Sequence, residues 1–444
     1  MSVLLFGILA CSTGNNSVQP EEMPPEPPRI PMAPKIPGEM ELVGEADPNP
    51  RSILIISWDT VRGDTAGLDE NPGIQLLQSQ SKTYTQAMTH FPETGISHWS
   101  LFTGVEPEVH GNVPGTGGSR YRGPTLAEIA KKFDYKTAAF IGGVTLTDHA
   151  TGLARGFDRY DDQWDWMRKD VRPAKEITQR AEGWMRQQEG PFFAFVHYFE
   201  AHHPYEPQPP FHQLPVNDGP RPQEVETEYA KYKGEIAYLD SLLPTLIQAA
   251  GQDTIIILTS DHGESFEHDY LYNHRDSLWE STMNVPLLIR GPGMTPNTRS
   301  DQLVALTDIL PTVLEMAGLP QEKKTQGSSI LGNVVRETVY ALTDPWIQQN
   351  PSYAIRSKTH KLLWQHGGAA QVFDMRNDRA EENNLHTIPD HLQDALAESQ
   401  KRIKEAEKIQ REALPSRFIS NTEAKKLESL GYLDPSKAPH KPGR

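Results

Sequence analysis

The sequence predicts an α/β protein built on a mainly parallel sheet, and three observations support this class. Short, continuous, β-branched apolar runs recur along the chain, as expected for strands that are buried on both faces. Segments with helical spacing of apolar residues lie between these runs. The 444 residues, with 36% hydrophobic residues and eight tryptophans, are sufficient for a sizeable core. Strands that alternate with helices form a parallel sheet covered on both sides.

Five runs have the length and composition of buried strands. They are "SILIIS" (52–57), "TAAFIGG" (137–143), "FFAFVHYF" (192–199), "TIIILTS" (254–260) and "VPLLIRG" (285–291). Two helices are predicted between them. The segment "TLAEIAKKF" (125–133) opens with a Thr-x-x-Glu capping box, and "YKGEIAYLDSLLPTLIQAA" (232–250) has apolar residues at helical spacing. We expect this α/β region to span residues 51–330.

A second, smaller region is expected over residues 331–433. Four short strand patterns, "TVYALT", "SYAIRS", "HKLLWQH" and "QVFDM", lie between residues 338 and 375 and predict a small antiparallel sheet. A charged helix is expected from about Asp390 to Arg411. The region therefore has the pattern of a small α+β subdomain, followed by a tail at 434–444.

The N-terminus predicts export and a lipid anchor. Cys11 is the single cysteine, so no intrachain disulfide is possible, and it follows the short apolar stretch "VLLFGILA". This pattern resembles a bacterial lipoprotein signal, with residues 1–10 as the signal peptide and Cys11 as the acylated residue. The alternative is an ordinary N-terminus with a buried cysteine. Eight prolines between Pro20 and Pro37 predict an extended tether over residues 11–50. The protein is then expected in the bacterial cell envelope, at the periplasm or outer membrane, and otherwise as a secreted protein.

Charge excludes two classes of partner. The formal net charge is −16, whereas nucleic acids and anionic membrane surfaces select basic patches. No apolar run after residue 20 approaches the roughly 20 residues that a membrane span needs. The only membrane contact that we expect is through the lipid on Cys11.

Carboxylate and imidazole groups follow three of the predicted strands. Asp59 comes after the first strand, His202 after the third, and Asp261 with His262 after the fourth. Ligands of α/β proteins bind beyond the carboxyl ends of the parallel strands. Three strands that deliver such groups to one edge predict a polar site that binds a metal ion.

These motifs resemble the sulfatase-like branch of the alkaline phosphatase superfamily. The resemblance is carried in order by "ILIISWDTVRGDTAG", "HYFEAHHPY", "GEIAYLD", "LTSDHGESFEHDYLYNHRDSLWESTMNVPLLIRGPG", "TDILPTVLEMAG", "QVFDMRNDRAEENNL" and "KLESLGYL", and it covers about residues 51–433. It implies a three-layer α/β/α sandwich with the smaller C-terminal subdomain, and an enzyme that hydrolyses phosphate or sulfate esters.

The nucleophile motif of this family departs from its usual form here. The family pattern is Cys or Ser, x, Pro, Ser, Arg, then Leu-x-Thr-Gly after two residues. Counting back from Thr103-Gly104 places Thr94 at the nucleophile position and His98 at the arginine. True sulfatases oxidise the Cys or Ser to formylglycine, an aldehyde, but the secondary alcohol of threonine can give only a ketone. Relatives with threonine use the unmodified hydroxyl for phosphoryl chemistry.

The resemblance also implies the ligands of one divalent cation. Asp59, Asp261, His262 and the hydroxyl of Thr94 would hold it, a donor set that favours Zn²⁺ or Mn²⁺ and permits Ca²⁺ or Mg²⁺. His202 and His274 would bind the remaining oxyanion charge, and either would protonate the leaving oxygen. His98 is expected as a further anion contact.

The predicted activity is hydrolysis of a phosphomonoester or phosphodiester in preference to a sulfate ester, with Thr94 forming a covalent enzyme ester. The substrate would be a small molecule or the ester of a glycan or lipid. Three alternatives stay open: a sulfuric ester hydrolase that works without formylglycine, a phosphoglycerol or phosphoethanolamine transferase, and an inactive glycan-binding relative.

Overall fold

The computed structural model describes residues 39–65, 68–112, 119, 121–164, 171–214, 220–332, 334–343 and 351–410. The predicted signal peptide, Cys11, the proline-rich stretch up to residue 38 and the tail at 434–444 lie outside these residues. The motif "KLESLGYL" and the end of the last helix at Arg411 also lie outside them.

The strands and helices are named in chain order. The strands are β1 (Leu42–Val43), β2 (Ile53–Trp58), β3 (Lys82–Met88), β4 (Lys136–Phe140), β5 (Arg159–Asp161), β6 (Phe192–Tyr198), β7 (Ile255–Thr259), β8 (Ser265–Glu267), β9 (Tyr270–Asn273), β10 (Asn284–Arg290), β11 (Thr298–Ala305), β12 (Gln321–Glu322), β13 (Thr338–Leu342), β14 (Ser352–Ser357), β15 (His360–Gln365) and β16 (Gln371–Asp374). The α-helices are α1 (Pro72–Gln78), α2 (Thr94–Thr103), α3 (Pro107–His110), α4 (Leu126–Lys132), α5 (Asp148–Thr151), α6 (Ala174–Met185), α7 (Gln223–Ala250), α8 (Glu280–Met283), α9 (Ile309–Ala317) and α10 (Asp390–Gln410).

The central sheet confirms the predicted fold class. Across the described residues it has eight strands in the order β11-β3-β10-β7-β2-β6-β4-β5. All neighbouring pairs are parallel except the two that involve β10, which is antiparallel to both β3 and β7. The sheet is therefore mainly parallel. Because β10 is reversed, the segment that precedes it lies at the carboxyl edge of its neighbours.

Both faces of the sheet are buried, which explains the continuous apolar runs. Along β2, Ile53 and Ile55 face a core that includes residues of α2, α4 and α9. Leu54 and Ile56 face the opposite core, which includes residues of α1, α6 and α7. Alternate residues of one strand thus enter different cores, so polar residues are excluded from both faces. This arrangement is the three-layer sandwich that the resemblance implies.

The predicted helix at 125–133 forms as α4, and its capping box is present. Thr125 accepts a hydrogen bond from the backbone N–H of Glu128, and the Glu128 carboxylate accepts one from the N–H of Thr125. The prediction for residues 232–250 was right in type but short, because α7 begins at Gln223.

The folded chain begins earlier than the expected boundary at residue 51. Leu42 and Val43 form β1, which pairs antiparallel with Gln321 and Glu322 of β12. Met40, Leu42 and Ala46 also pack against the main core. The prediction of a tether up to residue 50 is therefore wrong over its last part, because apolar residues of that part pack against the main core.

The C-terminal strands form the predicted small antiparallel sheet, in the order β13-β14-β15-β16. The helix that follows, α10, begins at Asp390 as expected. Within the described residues, no helix combines the length and the apolar character needed to cross a membrane.

Candidate active site

The carboxyl edge of the central sheet brings the predicted residues together. Asp59 directly follows β2, and Asp261 lies two residues beyond the end of β7. These strands are parallel neighbours, with Ser57 opposite Thr259, so the two carboxylates emerge side by side. Thr94 follows the loop after β3 and is the first residue of α2. All of these site residues are completely buried.

Three buried acceptors face one another at this edge. Asp59 Oδ1, Asp261 Oδ2 and His262 Nε2 have no hydrogen-bond partner among the described residues. One ligand atom from each of these side chains lies within 4.8 Å of the other two. His262 Nδ1 lies 3.1 Å from the carbonyl of Gly263, so an N–H on Nδ1 leaves the lone pair on Nε2. Unsatisfied buried acceptors are costly, and two carboxylates with one imidazole nitrogen fit a divalent cation.

The electrostatics of the three residues agree with a cation site. Burial, reinforced by the charge of Asp261, raises the pKa of Asp59 well above its ordinary value. Burial also raises the pKa of Asp261 and lowers the pKa of His262 well below its ordinary value. Each shift reflects the cost of placing charge in a dry site. A divalent cation would reverse this cost for both carboxylates.

The hydroxyl of Thr94 belongs to the same cluster. Its Oγ1 donates a hydrogen bond to Asp59 Oδ2 at 3.2 Å. The helix N-terminus beside it already has an acceptor, because the carboxylate of Glu93 accepts the backbone N–H of Ile96 at 2.9 Å. Glu93 thus occupies one of the amides at this helix N-terminus, a position that otherwise favours a bound anion.

His202 and His274 adjoin the cluster, as predicted. Their ring centroids lie 5.2 Å apart, and the ring of His274 stacks on that of His262 at 4.3 Å. His274 Nδ1 lies 3.0 Å from Glu264 Oε1, and Tyr205 Oη donates to the other oxygen of Glu264. His202 Nδ1 lies 2.6 Å from the carbonyl of His203. Both Nδ1 atoms therefore act as donors.

Burial lowers the pKa of His202 and of His274 to about 3, with a further lowering of His202 by His274 and of His274 by Arg275. Each ring is neutral at neutral pH before an anion binds. A neutral ring whose Nδ1 carries the hydrogen presents an acceptor at Nε2. It becomes a donor to an oxyanion only after taking up a second proton.

His98 adjoins the cluster, with its Nδ1 3.8 Å from Asp261 Oδ2. Its Nδ1 lies 2.7 Å from the carbonyl of Thr94, and its Nε2 lies 3.0 Å from the hydroxyl of Ser57. Both ring nitrogens are thus engaged inside the protein, which argues against the anion contact expected from the sequence. The ring instead holds the first turn of α2 against β2.

Sequence reasoning missed three residues at this edge. His197 in β6 places Nε2 3.2 Å from Asp59 Oδ2, and it was taken only as part of an apolar strand. Glu93, directly before the predicted nucleophile, is 2% exposed. Arg275 lies in the loop after β9, and its charge reaches the site: it opposes the rise that burial causes in the pKa of Glu93 and adds to the lowering of the pKa of His274. A histidine inside a continuous apolar strand was the one available signal.

The fold and the cluster define an α/β protein in which a threonine hydroxyl lies beside three buried side chains, Asp59, Asp261 and His262, whose ligand atoms are close enough to hold a metal ion. The Sulfatase family model matches residues 51–319, and the chain belongs to this family. A second family model, "N-sulphoglucosamine sulphohydrolase, C-terminal", matches residues 267–409.

Curated relatives match over a shorter stretch. Arylsulfatase K of Bos taurus is 32% identical over 185 residues, which cover 37% of this chain and 34% of that protein. Arylsulfatase K of Homo sapiens is 32% identical over 186 residues, with 37% and 34% covered. The match thus spans about a third of the length of these relatives.

Solved structures share the fold over most of the chain. The phosphonate monoester hydrolase of Agrobacterium radiobacter superimposes with a TM-score of 0.67 at 18% identity, covering 81% of this chain and 96% of that one. The phosphonate monoester hydrolase of Silicibacter pomeroyi superimposes with a TM-score of 0.65 at 17% identity, covering 81% of this chain and 95% of that one. A protein in complex with its substrate D-glucosamine-2-N,6-O-disulfate superimposes with a TM-score of 0.64 at 16% identity, covering 84% of this chain and 100% of that one. At these identities the likeness concerns the fold alone.

Proposed function

We propose that the protein is a metal-dependent ester hydrolase in which the unmodified hydroxyl of Thr94 is the nucleophile, with phosphate esters preferred over sulfate esters. The observation that carries the proposal is the hydrogen bond from Thr94 Oγ1 to Asp59 Oδ2, next to three buried acceptors that have no hydrogen-bond partner in the part of the chain that the structure describes. A hydroxyl needs a base or a metal to become a nucleophile near neutral pH.

Asp59, Asp261 and His262, with Thr94, would hold one divalent cation; Zn²⁺ or Mn²⁺ is our first choice, and Ca²⁺ or Mg²⁺ the alternative. When bound, such a cation stabilises the Thr94 alkoxide and neutralises charge on the substrate oxygens. The Asp59 carboxylate lies in place to accept the proton of Thr94.

The reaction proceeds in two balanced steps. The oxygen of Thr94 bonds to phosphorus while the bond between phosphorus and the leaving oxygen breaks, and the leaving oxygen takes up a proton. Water then attacks the phosphorus of the threonyl ester and restores the hydroxyl. His202 and His274 would supply the proton and bind the oxyanion in their doubly protonated form, which a bound anion favours. The carboxylate of Glu264 holds the ring of His274 in place by accepting a hydrogen bond from His274 Nδ1.

A sulfuric ester hydrolase is the second candidate function, because the chain belongs to the sulfatase family and matches arylsulfatase K. Threonine argues against the formylglycine route, since oxidation of a secondary alcohol gives no aldehyde. We also propose that Cys11 carries a lipid that holds the protein in the bacterial cell envelope, and that the substrate is a small-molecule, glycan or lipid ester.

The test compares 4-nitrophenyl phosphate, bis(4-nitrophenyl) phosphate and 4-nitrophenyl sulfate as substrates of the purified protein with Mn²⁺ or Zn²⁺. We expect a phosphate ester to be turned over fastest. Thr94→Ala is expected to reduce this turnover by at least about a thousandfold, because it removes the nucleophile, while Thr94→Ser keeps a hydroxyl and part of the activity.

Sulfate turnover that exceeds phosphate turnover and disappears in Thr94→Ala would establish the second candidate instead. Unchanged turnover in Thr94→Ala would show that Thr94 is not the nucleophile.

A further inference from the structure

The hairpin formed by β8 and β9 has a one-residue bulge at Tyr272. Phe266 pairs with Leu271, and the next pair along the hairpin is Ser265 with Asn273. Tyr272 is thus an extra residue of β9, and its φ of 56° lies in the left-handed region that bulky side chains rarely adopt. Glycine would occupy this position with less strain. Because such strain is typical of functional sites, the tyrosine points to a role for its ring.

The bulge determines which residue lies opposite His274. Extended by one residue beyond the bulge, the register brings Glu264 opposite His274, and His274 Nδ1 lies 3.0 Å from Glu264 Oε1. Without the extra residue, the register of the hairpin would bring Glu264 opposite Asn273 instead. The bulge therefore places the His274 ring where it can donate a hydrogen bond to Glu264.

The ring of Tyr272 joins this hairpin to the segment that follows β6. It stacks on the imidazole of His203, with ring centroids 5.4 Å apart and an interplanar angle of 13°. The backbone of His203 in turn orients His202, because its carbonyl lies 2.6 Å from His202 Nδ1. A second link joins the same two segments, since Tyr205 Oη donates a hydrogen bond to Glu264 Oε2 at 3.3 Å.

The two links differ in burial. Tyr205 and Glu264 are 4% and 0% exposed, whereas His203 and Tyr272 are only half-buried. The strain of the left-handed backbone at Tyr272 opposes what the stack contributes to stability. We therefore expect this ring to affect the position of the neighbouring histidines more than the stability of the fold.

We propose that Tyr272 is a positioning residue of the hydrolysis. Its stack holds the hairpin that carries His274 against the segment that carries His202, so that both rings contact the same substrate. This inference rests on the function proposed above, in which these two histidines bind the oxyanion and protonate the leaving oxygen. Their ring centroids lie 5.2 Å apart, and a displaced hairpin would change this spacing. Proton transfer requires hydrogen-bond distance, so a small displacement slows it.

The test uses the phenyl and 4-nitrophenyl esters of the acid whose esters the wild type hydrolyses fastest, with Mn²⁺ at a fixed pH. Phenol is a weaker acid than 4-nitrophenol, so the phenyl ester depends more on a proton supplied to its leaving oxygen. Tyr272→Gly keeps the bulge, because glycine readily adopts a positive φ, but it removes the stack. We expect its kcat to fall roughly tenfold for the phenyl ester and less than about threefold for the 4-nitrophenyl ester.

Other variants of the stacked pair separate the ring from the backbone. Tyr272→Phe and His203→Phe keep two stacked rings and are expected to retain the wild-type ratio of the two kcat values. His203→Ala removes the stack from the other side and should lower the ratio as Tyr272→Gly does. It also keeps the inference testable if Tyr272→Gly does not fold, as judged by its melting curve.

Tyr238→Ala is the matched control. Tyr238 of α7 is partly buried against the same core as Tyr272, and its ring pairs with that of Phe211 at 5.9 Å. This substitution also removes a tyrosine ring from that core, but it leaves the hairpin unchanged. The ratio of the two kcat values is expected to stay at the wild-type value.

An unchanged ratio in the folded variants Tyr272→Gly and His203→Ala, whether both esters slow equally or neither does, would overturn the positioning role. If wild-type turnover still depends on Thr94, that result leaves the proposed function standing. Wild-type protein with no Thr94-dependent turnover of any of these esters would overturn the proposed function, and the positioning role with it.

Discussion

The two carboxylate oxygens of Asp59 have different surroundings. Oδ2 accepts the hydroxyl of Thr94 and lies 3.2 Å from His197 Nε2, whereas Oδ1 has no partner among the described residues. Burial lowers the pKa of His197 well below its ordinary value, so the ring is neutral. His197 Nε2 then carries the hydrogen and donates it to the Asp59 carboxylate. His197 would thus fix the orientation of Asp59 and leave Oδ1 directed at a cation.

We predict that His197→Phe weakens metal binding by about 10- to 100-fold, the usual effect of losing a residue that orients a metal ligand. The measurement is Mn²⁺ or Zn²⁺ affinity by isothermal titration calorimetry, independent of turnover. His197→Gln keeps an N–H donor and is expected to lose less metal affinity than His197→Phe.

His90→Gln is the control for this prediction. His90 is also a buried histidine, but it bonds to the carbonyl of Tyr340 and the hydroxyl of Thr307. Its substitution should leave metal affinity unchanged. Equal affinity in His197→Phe and wild type would remove His197 from the metal site.

At the scale of elements, the short helix α8 connects the C-terminal sheet to the turn that carries Asp261 and His262. Gly263 in that turn donates its N–H to the carbonyl of Thr282, and a Cβ atom at Gly263 would lie 1.9 Å from the carbonyl oxygen of Ser281. Only glycine permits this close approach.

The other side of α8 is fixed by a buried ion pair. Arg356 of β14 places Nη2 2.9 Å from Glu280 Oε1, and Lys361 of β15 lies 3.7 Å from the second oxygen. Burial alone would raise the pKa of Glu280, but these two cations outweigh it and hold the pKa below its ordinary value. The C-terminal sheet therefore supports the site through α8.

We predict that Arg356→Met lowers the free energy of unfolding by about 3–5 kcal/mol, because it leaves the charge of Glu280 buried with less compensation. Urea denaturation at pH 7 measures this loss. The double variant Glu280→Gln with Arg356→Met is expected to recover part of it. Since the folded pKa of Glu280 is depressed, the contribution of the pair is present above the usual glutamate pKa of about 4.3 and is lost as the pH falls through the folded value.

A decrease of less than about 1 kcal/mol in the free energy of unfolding of Arg356→Met would contradict the role of the Arg356–Glu280 ion pair in holding α8. It would mean that α8 is held by its backbone contacts alone.

At the scale of the whole molecule, the sequence predicted best those strands that are buried on both faces. The run "TIIILTS" has no polar residue on either face of β7. The strand β3, "KTYTQAM", was missed because polar and apolar residues mix along it, although it lies inside the sheet. The strand β11 was missed because it is the edge strand and its first half is partly exposed. Neither has the continuous apolar run on which the prediction depended.

The site was predictable where residues follow a strand, and less so elsewhere. Asp59 and Asp261 stand directly beyond apolar runs, so topology alone brings them to one edge. His197 lies within a strand, and its contact with Asp59 depends on the register between β2 and β6, in which Ser57 is opposite His197. Sequence periodicity carries no information on that register.

Metal binding should control the stability of the whole fold. In the metal-free protein the buried carboxylates of Asp59 and Asp261 repel each other, and their folded pKa values are raised. The folded state then holds more protons than the unfolded state above the usual aspartate pKa of about 3.9, so metal-free stability falls as the pH rises through that window. A cation that binds only the folded protein adds about 2.7 kcal/mol at a concentration 100 times its Kd.

We predict that Mn²⁺ or Zn²⁺ raises the melting temperature at pH 8 relative to EDTA, and that Asp59→Asn abolishes this rise. The same variant should melt at or above the wild-type temperature in EDTA, because it removes one of two repelling charges. Asp240→Asn is the control: this buried carboxylate accepts the N–H groups of Gly73 and Ile74, so its loss should lower stability and leave the metal-dependent rise intact. Differential scanning fluorimetry separates the two effects. A full metal-dependent rise in Asp59→Asn would place the cation elsewhere in the protein.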